Sequence, residues 1–167
     1  MDRARLRRAI ALPAALFLVL VSGCATFAEY GSEQKLGVGV RGNVALERVI
    51  PGDEGIANAT LSRLELNGSA HRFFPSEGTW TEANADLLLP LIRVGGGAAR
   101  TYVGTGVSFG RFEPDVGSSE SKVGANLIGG LRFEQRTLAP FFEVRGSLGG
   151  AEQLSAVLGF QLFGGSF

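Results

Sequence analysis

The stretch RTYVGTGVSFG, residues 100–110, decides the fold. Val103, Thr105, Val107 and Phe109 fall on one side of a two-residue period. Arg100, Tyr102, Gly104, Gly106, Ser108 and Gly110 fall on the other. A period of two is the strand signature, because successive side chains of an extended chain point to opposite faces. The same alternation runs through KVGANLIGGLRFE (122–134), PFFEVRGSLGG (140–150) and EQLSAVLGFQLF (152–163). Upstream it appears in LGVGVRGNVALE (36–47), TLSRLELNGSAH (60–71) and TEANADLLLPLI (81–92), which makes seven strand candidates. Each exceeds the five or six residues of an average strand and reaches the ~9–11 that a tilted membrane-spanning strand needs.

Which face points inward decides the function. A lipocalin-type barrel keeps its apolar face inside, around a lipophilic ligand. A membrane barrel turns that face out to lipid. The polar faces here carry Gly37, Gly39, Gly104, Gly106, Gly110, Gly124, Gly130, Gly149 and Gly159. Glycine weakens a solvated strand but makes room in a narrow interior. The polar faces also carry six cations (Arg41, Arg63, Arg100, Lys122, Arg132 and Arg145) and six anions (Glu47, Glu65, Glu82, Asp86, Glu134 and Glu143). Buried charges persist when paired and hydrogen-bonded, so these twelve are expected to form an interior network. The apolar bands carry no charge at their middle, where Lys or Arg in lipid costs about 2–4 kcal/mol. The reading is apolar-out.

Composition closes other routes. The chain has 167 residues, 16 Lys+Arg against 16 Asp+Glu, 25 Gly, one Cys and one His. Zero net charge argues against nucleic acid as a partner. One Cys and one His exclude a disulfide framework and a His-pair or thiolate metal site, and no cofactor is expected.

The N-terminus reads as an address. Residues 2–8, DRARLRR, precede an apolar run from Ala9 to Val21 that ends in Ser22-Gly23-Cys24. A basic head, a short apolar stretch and small residues at its end make a secretory signal peptide, too short for the ~20 residues of a spanning helix. Val21-Ser22-Gly23-Cys24 resembles the bacterial lipobox, which implies cleavage before Cys24, lipidation of its sulfur and, with Ala25 following, transfer to the outer membrane. Conventional cleavage after Ala25 is the alternative. The expected division is a signal peptide over 1–23, a tether or short first strand over 24–34, and a barrel over 35–167.

YVGTGVSFG, VGANLIGGLRFE, APFFEVRGSLGG and LSAVLGFQLF resemble the closing half of small outer-membrane β-barrels of the opacity and OmpA-like type, well over 99–167 and by pattern over 35–93. The resemblance implies a single antiparallel up-and-down transmembrane barrel of about eight strands, in the outer membrane of a Gram-negative bacterium. Outer-membrane lipid and the barrel-assembly machinery are the implied partners. The chain ends on Phe167, similar to the terminal aromatic of the family's assembly signal; Phe163 fits the alternation before it and Gln161 and Gly165 do not. The family has eight strands and seven are clear; only ATFAEY, 25–30, is available for the eighth.

Ser69 and His71 share a polar face two residues apart, with Glu65 beside them. Outer-membrane lipid A deacylases place Ser, His and an acid on a barrel wall, but their His-x-Ser order is reversed here, and a base needs a positioned partner. The pair reads as a polar couple near a strand end. Gly95-Gly96-Gly97 reads as a turn, because the Lys and helix of a phosphate loop do not follow. Trp80, Tyr102, Phe73 and Phe74 are expected in interfacial girdles. The reading is therefore a non-enzymatic outer-membrane barrel without an open pore, lipid-modified at Cys24, with a structural or interaction role in envelope integrity or adhesion. A lipid-anchored lipocalin-like barrel is the alternative, although the lipocalin Gly-x-Trp motif is missing before the first strand. A lipid-modifying enzyme built on Ser69 and His71 is the third reading.

Overall fold

The structure is a computed structural model and describes residues 23–46, 63–134, 137–150 and 152–162. Eight strands follow one another: β1 (Gly23–Gly31), β2 (Lys35–Ala45), β3 (Glu65–Phe73), β4 (Gly78–Val94), β5 (Ala99–Pro114), β6 (Glu120–Phe133), β7 (Leu138–Leu148) and β8 (Gln153–Leu162). Each pairs antiparallel with the next, and β8 returns to β1 to close the barrel. No free sheet edge is left to template aggregation. The eighth strand is β1, formed where the sequence shows no alternation of polarity. Its inward residues are Ala25, Phe27 and Glu29 and its outward ones Cys24, Thr26, Ala28 and Tyr30, so each face mixes polar and apolar. Pairing with β2 and β8 on both sides, not pattern, makes it a strand.

Because the strand count is even, β1 starts and β8 ends at one rim, with Cys24 opposite Leu162. At the other, distal rim the connections are short: 32–34, 74–77, 115–119 and 149–152. The longest connection, 46–64, joins β2 and β3 at strand ends on the terminal rim. The Gly95–Gly97 turn, also there, is a single 3-10 turn whose three residues all have positive φ (62°, 68° and 94°), a conformation open to glycine at little cost.

Burial is inverted relative to a soluble protein. Val107 (60% exposed), Leu127 (61%) and Leu158 (61%) face outward, as do Val38, Val40, Phe109, Phe142 and Phe160. Asn67, Asp86 and Asn126 are fully buried inside, with Glu143 at 1%. A lipocalin arrangement is thereby overturned, since the apolar faces do not line the lumen. Val44 keeps the outward parity of Leu66, its partner across β2 and β3, yet is only 4% exposed near the terminal rim.

The glycines make room, chiefly for aromatic and large aliphatic side chains. A Cβ on Gly110 would lie 2.0 Å from the Trp80 indole, and one on Gly130 2.4 Å from Tyr102. Phe73 lies against Gly37, Leu88 against Gly104, and Phe27 and Phe141 against Gly159 in the same way. Each of these glycines meets its bulky partner from a neighbouring strand, directly across except for Gly110, which stands opposite Glu82 and meets Trp80 on the diagonal. Gly149 instead sits in a distal turn at φ 81°. The girdle expectation consequently fails for three residues: Phe73 (1%), Trp80 (2%) and Tyr102 (3%) are inside the barrel. Phe74, half exposed, stays outside.

Candidate functional site

Three polar clusters tie the walls together through the lumen. Nearest the terminal rim, Arg132 on β6 donates to both oxygens of Glu65 on β3 (Nη2–Oε1 2.8 Å, Nη1–Oε2 3.1 Å) and to Gln161 Oε1 on β8 at 3.3 Å. In the second cluster Glu143 on β7 accepts from Arg41 Nη1 on β2 (2.8 Å), the Tyr102 hydroxyl on β5 (2.9 Å) and Arg145 Nη2 (3.1 Å). Arg145 also donates to Asp86 Oδ2 on β4 at 3.2 Å, and Asn126 Nδ2 to Asp86 Oδ1 (3.1 Å) and Asn84 Oδ1 (2.7 Å). The Arg41 guanidinium stacks 3.7 Å over the Phe141 ring, a planar contact that a lysine would not reproduce.

The third cluster joins β1, β3 and β8. The Ser69 hydroxyl lies 2.8 Å from His71 Nε2, and His71 Nδ1 2.6 Å from Glu29 Oε2. Glu29 Oε1 accepts a short hydrogen bond from the Ser155 hydroxyl. The ring is also wedged by aromatics, edge-on to Phe27 at 4.8 Å between centroids and stacked on Phe73 at 6.2 Å. A carboxylate can only accept. His71 Nδ1 therefore carries the proton to Glu29, and in the neutral ring Nε2 accepts from Ser69.

Of the twelve charges expected inside, Arg41, Glu65, Asp86, Arg132, Glu143 and Arg145 are buried in these clusters. Glu82 is buried too, but on the indole N–H of Trp80 (3.1 Å) rather than on a cation. Arg100 and Glu134 sit at the terminal rim, where Glu134 takes Arg100 Nε at 2.8 Å and Arg93 Nε at 3.1 Å. Two residues are misassigned by alternation. Lys122 is at the distal rim near Glu120 (3.7 Å), and Arg63 is exposed before β3 begins. Alternation gives a residue's face but not its depth. Glu47 lies outside the described residues, as do 1–22 of the signal segment and the terminal Phe163 and Phe167. The expected six-to-six balance also changes. Among the described residues five carboxylates (Glu29, Glu65, Glu82, Asp86 and Glu143) and three guanidiniums (Arg41, Arg132 and Arg145) are buried, with His71 beside them.

Sequence reading paired Ser69 and His71 with Glu65, whereas the structure pairs them with Glu29, from the strand that pattern missed. Among the described residues no group of His, Cys, Asp or Glu is arranged to hold a metal ion.

A comparison with protein-family models finds no match, and neither does a comparison with curated protein sequences. Solved structures do match. The N-terminal β-barrel domain of Pseudomonas aeruginosa OprF superimposes with a TM-score of 0.60 at 14% identity, over 85% of this chain and 97% of that one. Neisserial surface protein A superimposes with a TM-score of 0.53 at 12% identity, over 84% of this chain and 94% of that one. At such identities the likeness is one of fold, and it agrees with the closed antiparallel ring read from the pairing. The chain has the architecture of the small eight-stranded outer-membrane β-barrels.

Proposed function

We propose that this chain is an integral protein of a Gram-negative outer membrane with a structural role in the envelope, exported by residues 1–23 and acylated on Cys24. The observation that carries the reading is the inverted burial: an outer wall of Val, Leu and Phe around an interior of paired charges. In water such a wall would be an aggregation liability; in lipid it is the required solvent contact. An open pore is not part of the proposal. Arg41 on β2 and Glu143 on β7 meet at 2.8 Å inside the ring, as expected where eight strands enclose just enough space for their own side chains.

Two features support the lipid. Cys24 is exposed and points outward at the terminal rim. Directly along its strand begins a shallow apolar groove of about 740 Å³ floored by Thr26, Ala28, Gly39 and Gly159 and walled by Val38, Val40, Leu158 and Phe160. The short distal hairpins favour envelope integrity over adhesion.

Fractionation tests both parts. Wild type and Cys24→Ser should both stay with membranes after carbonate and require detergent, and both should migrate differently on gels with and without boiling. Only wild type should carry a lipid mass at Cys24. Release of Cys24→Ser as soluble protein would overturn the integral barrel, and an unmodified Cys24 in wild type would overturn the acylation.

A further inference from the structure

We propose that Ser69 is an activated nucleophile and that the barrel interior holds a site for acyl transfer from small esters, built from Ser69, His71 and Glu29. The relay has each required contact: nucleophile to base at 2.8 Å, base to orienting carboxylate at 2.6 Å, and a tautomer fixed by an acceptor-only Glu29. A hydrogen bond from Ser155 and the flanking Phe27 and Phe73 rings hold the base and its carboxylate in position.

A second observation points to a ligand beside the hydroxyl. Ser69 stands directly between Arg41 on β2 and Asn84 on β4 in the strand register. These neighbours carry buried donors with no partner among the described residues: Arg41 Nε and Nη2, and Asn84 Nδ2. Asn84 is anchored through its other amide atom by Asn126, which leaves Nδ2 as the unused donor. The three residues also keep more exposure than most of the buried polar set, 8% for Ser69, 6% for Asn84 and 5% for Arg41. Three unsatisfied N–H donors on two residues thus stand in register with the hydroxyl. Unpaired buried N–H groups in register with a nucleophile are what a developing oxyanion requires, and an interior filled by its own side chains restricts the substrate to small acyl groups.

The step balances. Ser69 Oγ bonds to the ester carbonyl carbon while its proton passes to His71 Nε2; the ester C–O bond then breaks and His71 returns that proton to the departing alcohol. Water attacks the acyl-Ser69 in the same way, its proton going to His71, and the carboxylic acid leaves as Ser69 recovers its hydrogen. Glu29 stabilises the imidazolium without taking its proton.

The full chain, folded in detergent and judged folded by its unboiled gel mobility, is treated with p-nitrophenyl acetate and, separately, phenylmethanesulfonyl fluoride. Modified residues are located by peptide mass. The expected result is modification of Ser69 and not of Ser155, which shares Glu29 but has no base. The rate should fall about 100-fold or more in folded His71→Gln, the scale of general-base assistance, and p-nitrophenol release should fall with it. An unmodified Ser69 in folded wild type overturns the proposal, as does equal reaction of Ser69 and Ser155. If His71→Gln does not fold, Glu29→Gln gives the same test. A folded variant of either residue that reacts at the wild-type rate reduces the relay to a clasp between β1 and β3.

Discussion

Removing the Glu143 carboxylate should be the most damaging single change to the interior. Glu143 is 1% exposed and serves three donors: Arg41, Tyr102 and Arg145. In Glu143→Leu, Arg145 keeps Asp86 at 3.2 Å, but Arg41 loses its ion-pair partner while staying buried. Breaking a buried pair from one side costs about 3–5 kcal/mol, because the remaining charge is uncompensated. Replacing both partners by apolar groups of similar volume is often near neutral. The double variant Arg41→Met/Glu143→Leu should therefore recover much of the loss, short of the stacking of Arg41 on Phe141. The measurement is urea unfolding of the barrel in lipid vesicles, with the folded fraction read from unboiled gels, for wild type, both single variants and the double. A single variant within about 1 kcal/mol of wild type, the range of an exposed pair, would refute the assignment of Glu143 to a closed interior. A double variant no better than the worse single would refute the pairing.

Two further pairs of substitutions separate the inside from the outside. Gly159→Ala should impair folding by about 1–3 kcal/mol, the cost of overpacking, because its Cβ would come within 2.6 Å of both Phe141 and Phe27. Gly129→Ala should be neutral in the same unfolding assay, with nothing within 4 Å of the added carbon. On the outer wall, Val107→Arg should cost about 2–4 kcal/mol in lipid vesicles, as for a cation near the bilayer midplane. The same change at Val116, 91% exposed in a distal hairpin, should cost little.

The parts legible in the sequence were those with local cause. A period of two identifies β2 to β8 because one side of each strand must meet lipid, and Val103, Val107 and Phe109 show this without reference to any other strand. The same parity already placed Tyr102 with Gly104 and Gly106, Phe73 with His71, and Trp80 with Glu82. Taking those aromatics for girdle residues weighed residue type over parity, and parity was the stronger signal. What sequence could not carry is register. That Gly130 faces Tyr102 and Gly159 faces Phe141 follows from pairing between strands. The partner of His71 was hidden for the same reason: Glu29 lies 42 residues away, on a strand whose faces do not alternate in polarity.

The two rims bear on which kind of role the barrel can serve. Adhesion needs surface beyond the membrane, and the distal rim offers only short hairpins around a polar depression lined by Glu33, Gln34, Trp80, Lys122 and Glu152. The terminal rim differs: it holds the Arg93–Glu134–Arg100 triplet, in which two guanidiniums share one carboxylate. Arg93 pairs directly across from Arg100, and Arg100 from Arg132. Cations in direct cross-strand register repel, and among the described residues Glu134 and Glu65 help to offset that repulsion. A lipid on Cys24 would set this row of arginines at the periplasmic leaflet. There it would face anionic headgroups, whose pull on a basic segment is about 1 kcal/mol per cation near an anionic surface. Such a row would help hold the barrel in the envelope from the inside, which supports the proposed structural role.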